Sequence, residues 1–156
     1  MLELSVPGFK ELRLAHLVLD YNGTLACDER PLEGVQERVA GLSENLVIHV
    51  LTADTFGTVK DQMGPWPCQV AVIPRGREAE AKLSYVRSLG AGQTVAVGNG
   101  RNDRLMLKEA ALGIAVLQTE GTAVEALLAA EVVVPGIIDA LDLLLNPQRL
   151  TATLRS

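Results

Sequence analysis

Apolar residues fall in short runs separated by polar, glycine- or proline-bearing breaks. Residues 2–6 alternate apolar and polar and predict a short strand, with Pro7-Gly8 as a turn. Residues 12–20 predict the first long strand region, which stops on a carboxylate: His16-Leu17-Val18-Leu19-Asp20. Further strands are predicted over 46–51, 68–73, 94–97, 112–117 and 131–134. Helical spacing appears between them, over 33–42 (Val35, Val39 and Leu42 on one side), 56–63, 78–89, 104–111, 122–129 and 137–145. Residues 27–31 are polar and read as a loop or small flap. Gly64-Pro65 and Pro67 break the second helix, Gly90 and Gly92 close the third, and Pro147 stops the last long one. Residues 148–154 form a tail with some helical character.

Strands that alternate with helices over short connections predict a mostly parallel six-stranded sheet covered on both faces. This is a three-layer, doubly wound α/β architecture. The expectation is one domain over 1–156, with its core at about 12–146 and a tail at 147–156. The strand C-termini then share one edge, where ligands bind in such sheets. Three polar clusters fall on that edge: 20–24, 52–55 and 98–103.

Composition narrows the picture. The chain is 48% hydrophobic but only 3% aromatic, so the core is aliphatic, as buried parallel strands require. A net charge of -5 argues against a nucleic-acid partner. No apolar run approaches the roughly 18 residues that span a bilayer, and Glu3, Lys10 and Glu11 interrupt any leader pattern. The expectation is a cytoplasmic protein without membrane association, in which Cys27 and Cys68 are free thiols. His16 and His49 lie in apolar strand patterns and are expected to be structural. Cys27 is read as inert, and Arg101 is placed at the open edge.

The order of the polar clusters resembles the haloacid dehalogenase-like (HAD) hydrolase superfamily. Its first motif, Asp-x-Asp-x-Thr after a strand, matches Asp20-Tyr21-Asn22-Gly23-Thr24. Its second, a Ser or Thr ending the next strand, matches Thr52. Its third, a Lys or Arg on the helix before strand four, matches Lys82. Its fourth, an acidic cluster often written Gly-Asp-Gly-x-Asn-Asp, matches Gly98-Asn99-Gly100-Arg101-Asn102-Asp103. The resemblance runs from the first long strand to the last long helix. It implies the Rossmann-like HAD fold, here without a cap domain, since neither the 20–52 nor the 52–82 interval has room for one. Among branches the chain looks most like a soluble counterpart of the phosphorylation domain of P-type ATPases.

The resemblance implies a Mg²⁺-dependent hydrolase or phosphatase in which Asp20 attacks phosphorus and becomes an aspartyl-phosphate. Thr52, Ala53, Gly23 and Lys82 would hold the phosphoryl group. Asp20, the backbone carbonyl of Asn22, Asn99 and Asp103 would hold Mg²⁺. Two positions depart from the pattern. Asn22 stands where phosphatases carry the acid/base carboxylate, and an amide cannot shuttle a proton. Asn99 stands where the family has a metal-binding Asp. The expectation is weak Mg²⁺ binding and slow turnover. The alternative is a catalytically weak binding or regulatory protein of the same fold that senses phosphate or docks a partner. An uncapped site suits a phosphorylated substrate or partner protein, and is compatible with closure by a second subunit in a homo-oligomer.

Overall fold

The computed structural model describes all of residues 1–156. In chain order the strands are β1 (Leu2–Val6), β2 (Lys10–Leu14), β3 (His16–Asp20), β4 (Ala26–Cys27), β5 (Arg30–Pro31), β6 (Val47–Thr52), β7 (Gln69–Val72), β8 (Thr94–Gly98), β9 (Leu112–Val116) and β10 (Val132–Val134). The helices are α1 (Val35–Leu42), α2 (Thr58–Met63), α3 (Glu78–Leu89), α4 (Arg104–Glu109), α5 (Val124–Ala129), α6 (Ile137–Leu145) and α7 (Pro147–Leu154).

Six strands form one parallel sheet in the order β10-β9-β8-β3-β6-β7. The three-layer α/β fold expected from the sequence is the one observed. Strand β3 lies inside the sheet and is covered on both faces, which explains its unbroken Leu17-Val18-Leu19 run. Leu17 and Leu19 point into a large cluster with Val35 and Val39 of α1 and Leu141 and Leu144 of α6. Val18 points the other way, against Val86 of α3, Met106 of α4 and Ala126 of α5. Arg38 ties α1 to α6 by donating from Nε to Asp142 at 2.7 Å.

The chain leaves β3 for β6 and β7, then returns to the opposite side of β3 to build β8, β9 and β10. Strand order therefore reverses between β3 and β8. Asp20 pairs with Leu51 of β6, and Leu19 with Val97 of β8. That register brings Asp20, Thr52 and Gly98 to the same edge, at the switch point where α/β sheets bind ligands.

Residues 12–20 are not one strand. Ala15 breaks the run: its N–H donates to Gln93 and its carbonyl accepts from Val47. The chain before it, β2, pairs antiparallel with β1 in a separate hairpin. The tail at 147–156 is mostly helical, and Leu150 of α7 is buried in the same cluster as Leu12, Leu14 and the sheet residues. Helix α2 begins at Thr58, later than expected, because Gly57 takes a left-handed φ of 83° just before it. No helix is long and apolar enough to cross a membrane.

The two histidines meet. His16 Nδ1 lies 3.1 Å from His49 Nε2, and His49 Nδ1 lies 2.8 Å from the Tyr85 hydroxyl. Burial first, and then His16, lowers the His49 imidazole to about 4. The unfolded chain takes up this proton near the ordinary value of about 6.5, the folded chain only near 4. His49 therefore withdraws stability as pH falls through that window, on the order of 2 kcal/mol. Urea melts of the wild type and His49→Gln, compared at each pH so that other titrations cancel, should show the wild-type advantage shrinking from neutral pH toward the lower end of the window. An advantage that stays constant would contradict this.

Candidate active site

The site is built from the ends of three strands and one helix. After Asp20 the chain turns tightly, with the Tyr21 carbonyl accepting from the N–H groups of Leu25 at 3.0 Å and Ala26 at 3.1 Å. Gly23 takes φ 76° in this turn, and a Cβ there would stand 2.5 Å from Glu120 Oε2 and 2.9 Å from Asn99 Nδ2. Thr24 is folded beneath, donating its hydroxyl to Asp20 Oδ2 at 3.3 Å. At the end of β8, Gly98 leaves room for Asp103: a Cβ on Gly98 would meet the Asp103 carboxyl carbon at 2.5 Å.

Lys82, on α3, joins the two carboxylates. Its Nζ donates to Asp20 Oδ1 at 2.7 Å and to Asp103 Oδ1 at 2.6 Å, with a longer contact of 3.4 Å to Asn102 Oδ1. Only 2% of Lys82 is exposed, so this ammonium exists in the interior because the carboxylates hold it there. Burial alone would lower the Lys82 ammonium, but Asp20, Asp103 and their hydrogen bonds outweigh it and raise it. Asp20 moves in the direction of its protonated form. Burial, then Asp103, pushes its carboxyl up to about 7 against the pull of Lys82. Three charged groups with two negatives thus leave Asp20 under-compensated, a state that a cation would relieve. Asp103 is the more tightly held of the two carboxylates, since its Oδ2 accepts from the backbone N–H of Asn99 at 3.0 Å and Gly100 at 2.9 Å. Asp20 Oδ2, with only the long bond from Thr24, is the carboxylate oxygen left for chemistry.

A cavity of about 230 Å³ opens over this group and is lined by Asp20, Asn22, Thr52, Ala53, Lys82 and Asn99, among others. Thr52 accepts the Asp54 N–H at 3.0 Å on its Oγ1, which leaves its own O–H proton free to donate. The helix-capping role belongs instead to Asp54, whose carboxylate accepts from Phe56 and Val59 at 3.0 Å each. Those backbone bonds hold its carboxyl below the usual range. Asn22 sits exposed at the rim. Arg101, read as an edge residue, is paired with Glu125 at 2.9 Å. A second cavity of about 570 Å³ adjoins the first through Asn22, Ala53 and Glu78, and continues toward Tyr21, Gln62 and Arg75.

Two residues enter the site that motif reading passed over. They come from the 117–123 loop after β9. Gln118 Nε2 donates to the carbonyls of Gly23 at 2.7 Å and Thr24 at 2.6 Å, fastening this loop to the Asp20 turn. Glu120 lines the Asp20 cavity. The available signal was topological: β9 ends on the same edge as β8, and the Gln118-Thr119-Glu120 run follows it directly.

Whether the donors suit a divalent cation can be read from their chemistry. No point in the chain gathers three Asp, Glu, His or Cys side chains at metal-binding distances. The cavity wall offers instead the Asp20 carboxylate, the amide of Asn99 and the backbone of Asn22, with the Asp103 carboxylate buried just behind it against Lys82. A small set of hard oxygens that leaves room for water and phosphate fits Mg²⁺, which keeps several waters and rarely takes an all-protein cage.

No family model matches the chain. It is 46% identical over 84 residues to the uncharacterized protein MJ0073 of Methanocaldococcus jannaschii, a match covering 51% of this chain and 90% of that protein. The cobalt-bound deoxy-D-mannose-octulosonate 8-phosphate phosphatase of Haemophilus influenzae superposes with a TM-score of 0.72 at 12% identity, over 92% of this chain and 94% of that one. A chain assigned to the HAD family of hydrolases, from Streptomyces avermitilis, superposes with a TM-score of 0.67 at 20% identity, over 87% of each. The chain belongs to the same family as MJ0073, and its fold is that of the haloacid dehalogenase-like hydrolases.

Proposed function

We propose that the chain is a phosphohydrolase that works through a covalent phosphoryl group on Asp20. The observation that carries this reading is the buried Asp20–Lys82–Asp103 ion-pair chain at the switch point, with the Thr52 hydroxyl lining the same cavity. A carboxylate attacking a phosphate dianion needs positive charge and fixed donors more than it needs covalent help. Asp20 Oδ2 supplies the nucleophile. Lys82 and the Thr52 hydroxyl offset and orient the phosphoryl oxygens, and the Ala53 and Gly23 backbones complete the rim. Mg²⁺, held by Asp20, Asp103, Asn99 and the Asn22 carbonyl, would neutralise the remaining negative charge. The adjoining larger cavity gives the leaving group room, with the Arg75 guanidinium on its wall.

Asn22 makes the second half of the reaction slow, because no carboxylate stands in the usual acid/base place. The same substitution favours the second reading, a phosphate-sensing or docking protein that seldom turns over. An aryl phosphate assay separates the two. The hydrolase reading expects slow release of phosphate that a chelator of Mg²⁺ abolishes. Saturable binding of phosphate without any release supports the second reading and contradicts the first.

A further inference from the structure

The geometry points to Glu120 as the catalytic base that Asn22 cannot be, acting on the water that hydrolyses the phosphoryl-Asp20 bond. This rests on the hydrolase reading above. Four carboxylates reach the cavity region, and three are spoken for. Asp20 is the nucleophile. Asp103 spends Oδ1 on Lys82 and Oδ2 on two backbone N–H groups. Glu78 lies in the first turn of α3, where the neighbouring backbone N–H groups hold its carboxyl below the usual range and make it a poor proton acceptor. Glu120 takes part in no ion pair and accepts no side-chain or backbone hydrogen bond. It lines the cavity beside the Asp20 turn with no other duty in the fold.

Its loop is fixed, although its side chain is exposed. On one side Gln118 is bonded to the carbonyls of Gly23 and Thr24, and its Oε1 accepts from Ile137 at 3.3 Å. On the other, Asn99 Nδ2 donates to the Gly121 carbonyl at 3.0 Å, and the Asn99 carbonyl accepts from Ala123 at 2.9 Å. Residue 120 is held between these anchors, and its Oε2 lies against Gly23, the residue that directly follows Asn22 in the turn after Asp20. Asn99 thus gains a role that an Asp could not fill, since a carboxylate has no N–H to give to Gly121. The two departures from the family pattern are coupled: Asn99 anchors the loop whose Glu120 stands in for the acid lost at Asn22.

In the step concerned, a water oxygen bonds to phosphorus while the bond from Asp20 to phosphorus breaks. Asp20 leaves as a carboxylate. The proton released by the water passes to Glu120, and from there to the departing phosphate or solvent.

The test uses acetyl phosphate with Mg²⁺, because acetate leaves without needing a proton. Phosphoenzyme formation and decay are followed separately in the wild type and in Glu120→Gln. Formation should match within about twofold, while decay slows by roughly 10²-fold or more, so that phosphoenzyme accumulates. The rise of the decay rate with pH should disappear in the variant, and adding Asn22→Asp should restore fast decay. Equal decay in the two proteins, with both phosphorylated, overturns the role of Glu120 alone. Formation and decay slowed together, or weaker Mg²⁺ binding in Glu120→Gln, also overturns it and makes Glu120 a charge partner of the cation. A wild type that never takes up phosphoryl groups overturns the hydrolase reading itself.

Discussion

Lys82→Ala is expected to destabilise the protein by about 3–5 kcal/mol, the loss typical when one partner of a buried ion pair is removed. The reason is local. The ammonium is 2.7 Å from one buried carboxylate and 2.6 Å from another, with Asp103 fully inside the protein. Without it, two carboxylates face each other with no cation between them. The variant should regain stability on acidification. A carboxyl raised in the folded state holds more protons there than in the unfolded chain, so stability grows as pH falls toward the unfolded value near 4. Denaturant midpoints at several pH values check both statements. A variant that melts like the wild type at neutral pH would mean that the charge chain does not hold the site together.

Asp20→Asn should give the opposite pattern, losing activity while keeping the fold. Lys82 retains Asp103, and the Thr24 hydroxyl can still donate to the amide oxygen. Burial and Asp103 already oppose the Asp20 charge, so its removal relieves the folded state and melting should not fall. Turnover should drop by more than about 10⁴-fold, since a nucleophile acts as a unit with the groups that orient it. Steady-state rates and urea melts on one preparation test the pair of statements. Activity that survives in Asp20→Asn would place the chemistry elsewhere.

Much of this site is legible in the sequence because its parts sit where apolar runs end. Leu17-Val18-Leu19 can only be a strand buried on both faces, and Asp20 follows it. The same holds for Thr52 after β6 and for the glycine-rich turn after β8. Lys82 was legible only through its order among the motifs, since nothing in the polar pattern of α3 shows that it points inward to two acids. The break at Ala15 was hidden because an alanine between Leu14 and His16 continues the apolar run. Only its bonds to Gln93 and Val47, both distant in sequence, reveal the exit from the hairpin. The roles of Thr52 and Asp54 were also blurred, as both are cap residues by type and only the geometry assigns the cap to Asp54. Glu120 and Gln118 depend on a loop fastened across the sheet edge, at a sequence separation no local pattern records. Asn99, which reads as a weakened metal ligand, is also the hydrogen-bond donor that fastens that loop.

Asp20 is the residue expected to accept the phosphoryl group. The direct measurement is to incubate the protein with acetyl phosphate and Mg²⁺, quench in acid, and map the digested peptides by mass spectrometry. One phosphoryl group is expected on the peptide carrying Asp20, labile to hydroxylamine and absent from Asp20→Asn. Phosphate release with no label on Asp20, or a stable label on a different residue, would contradict it.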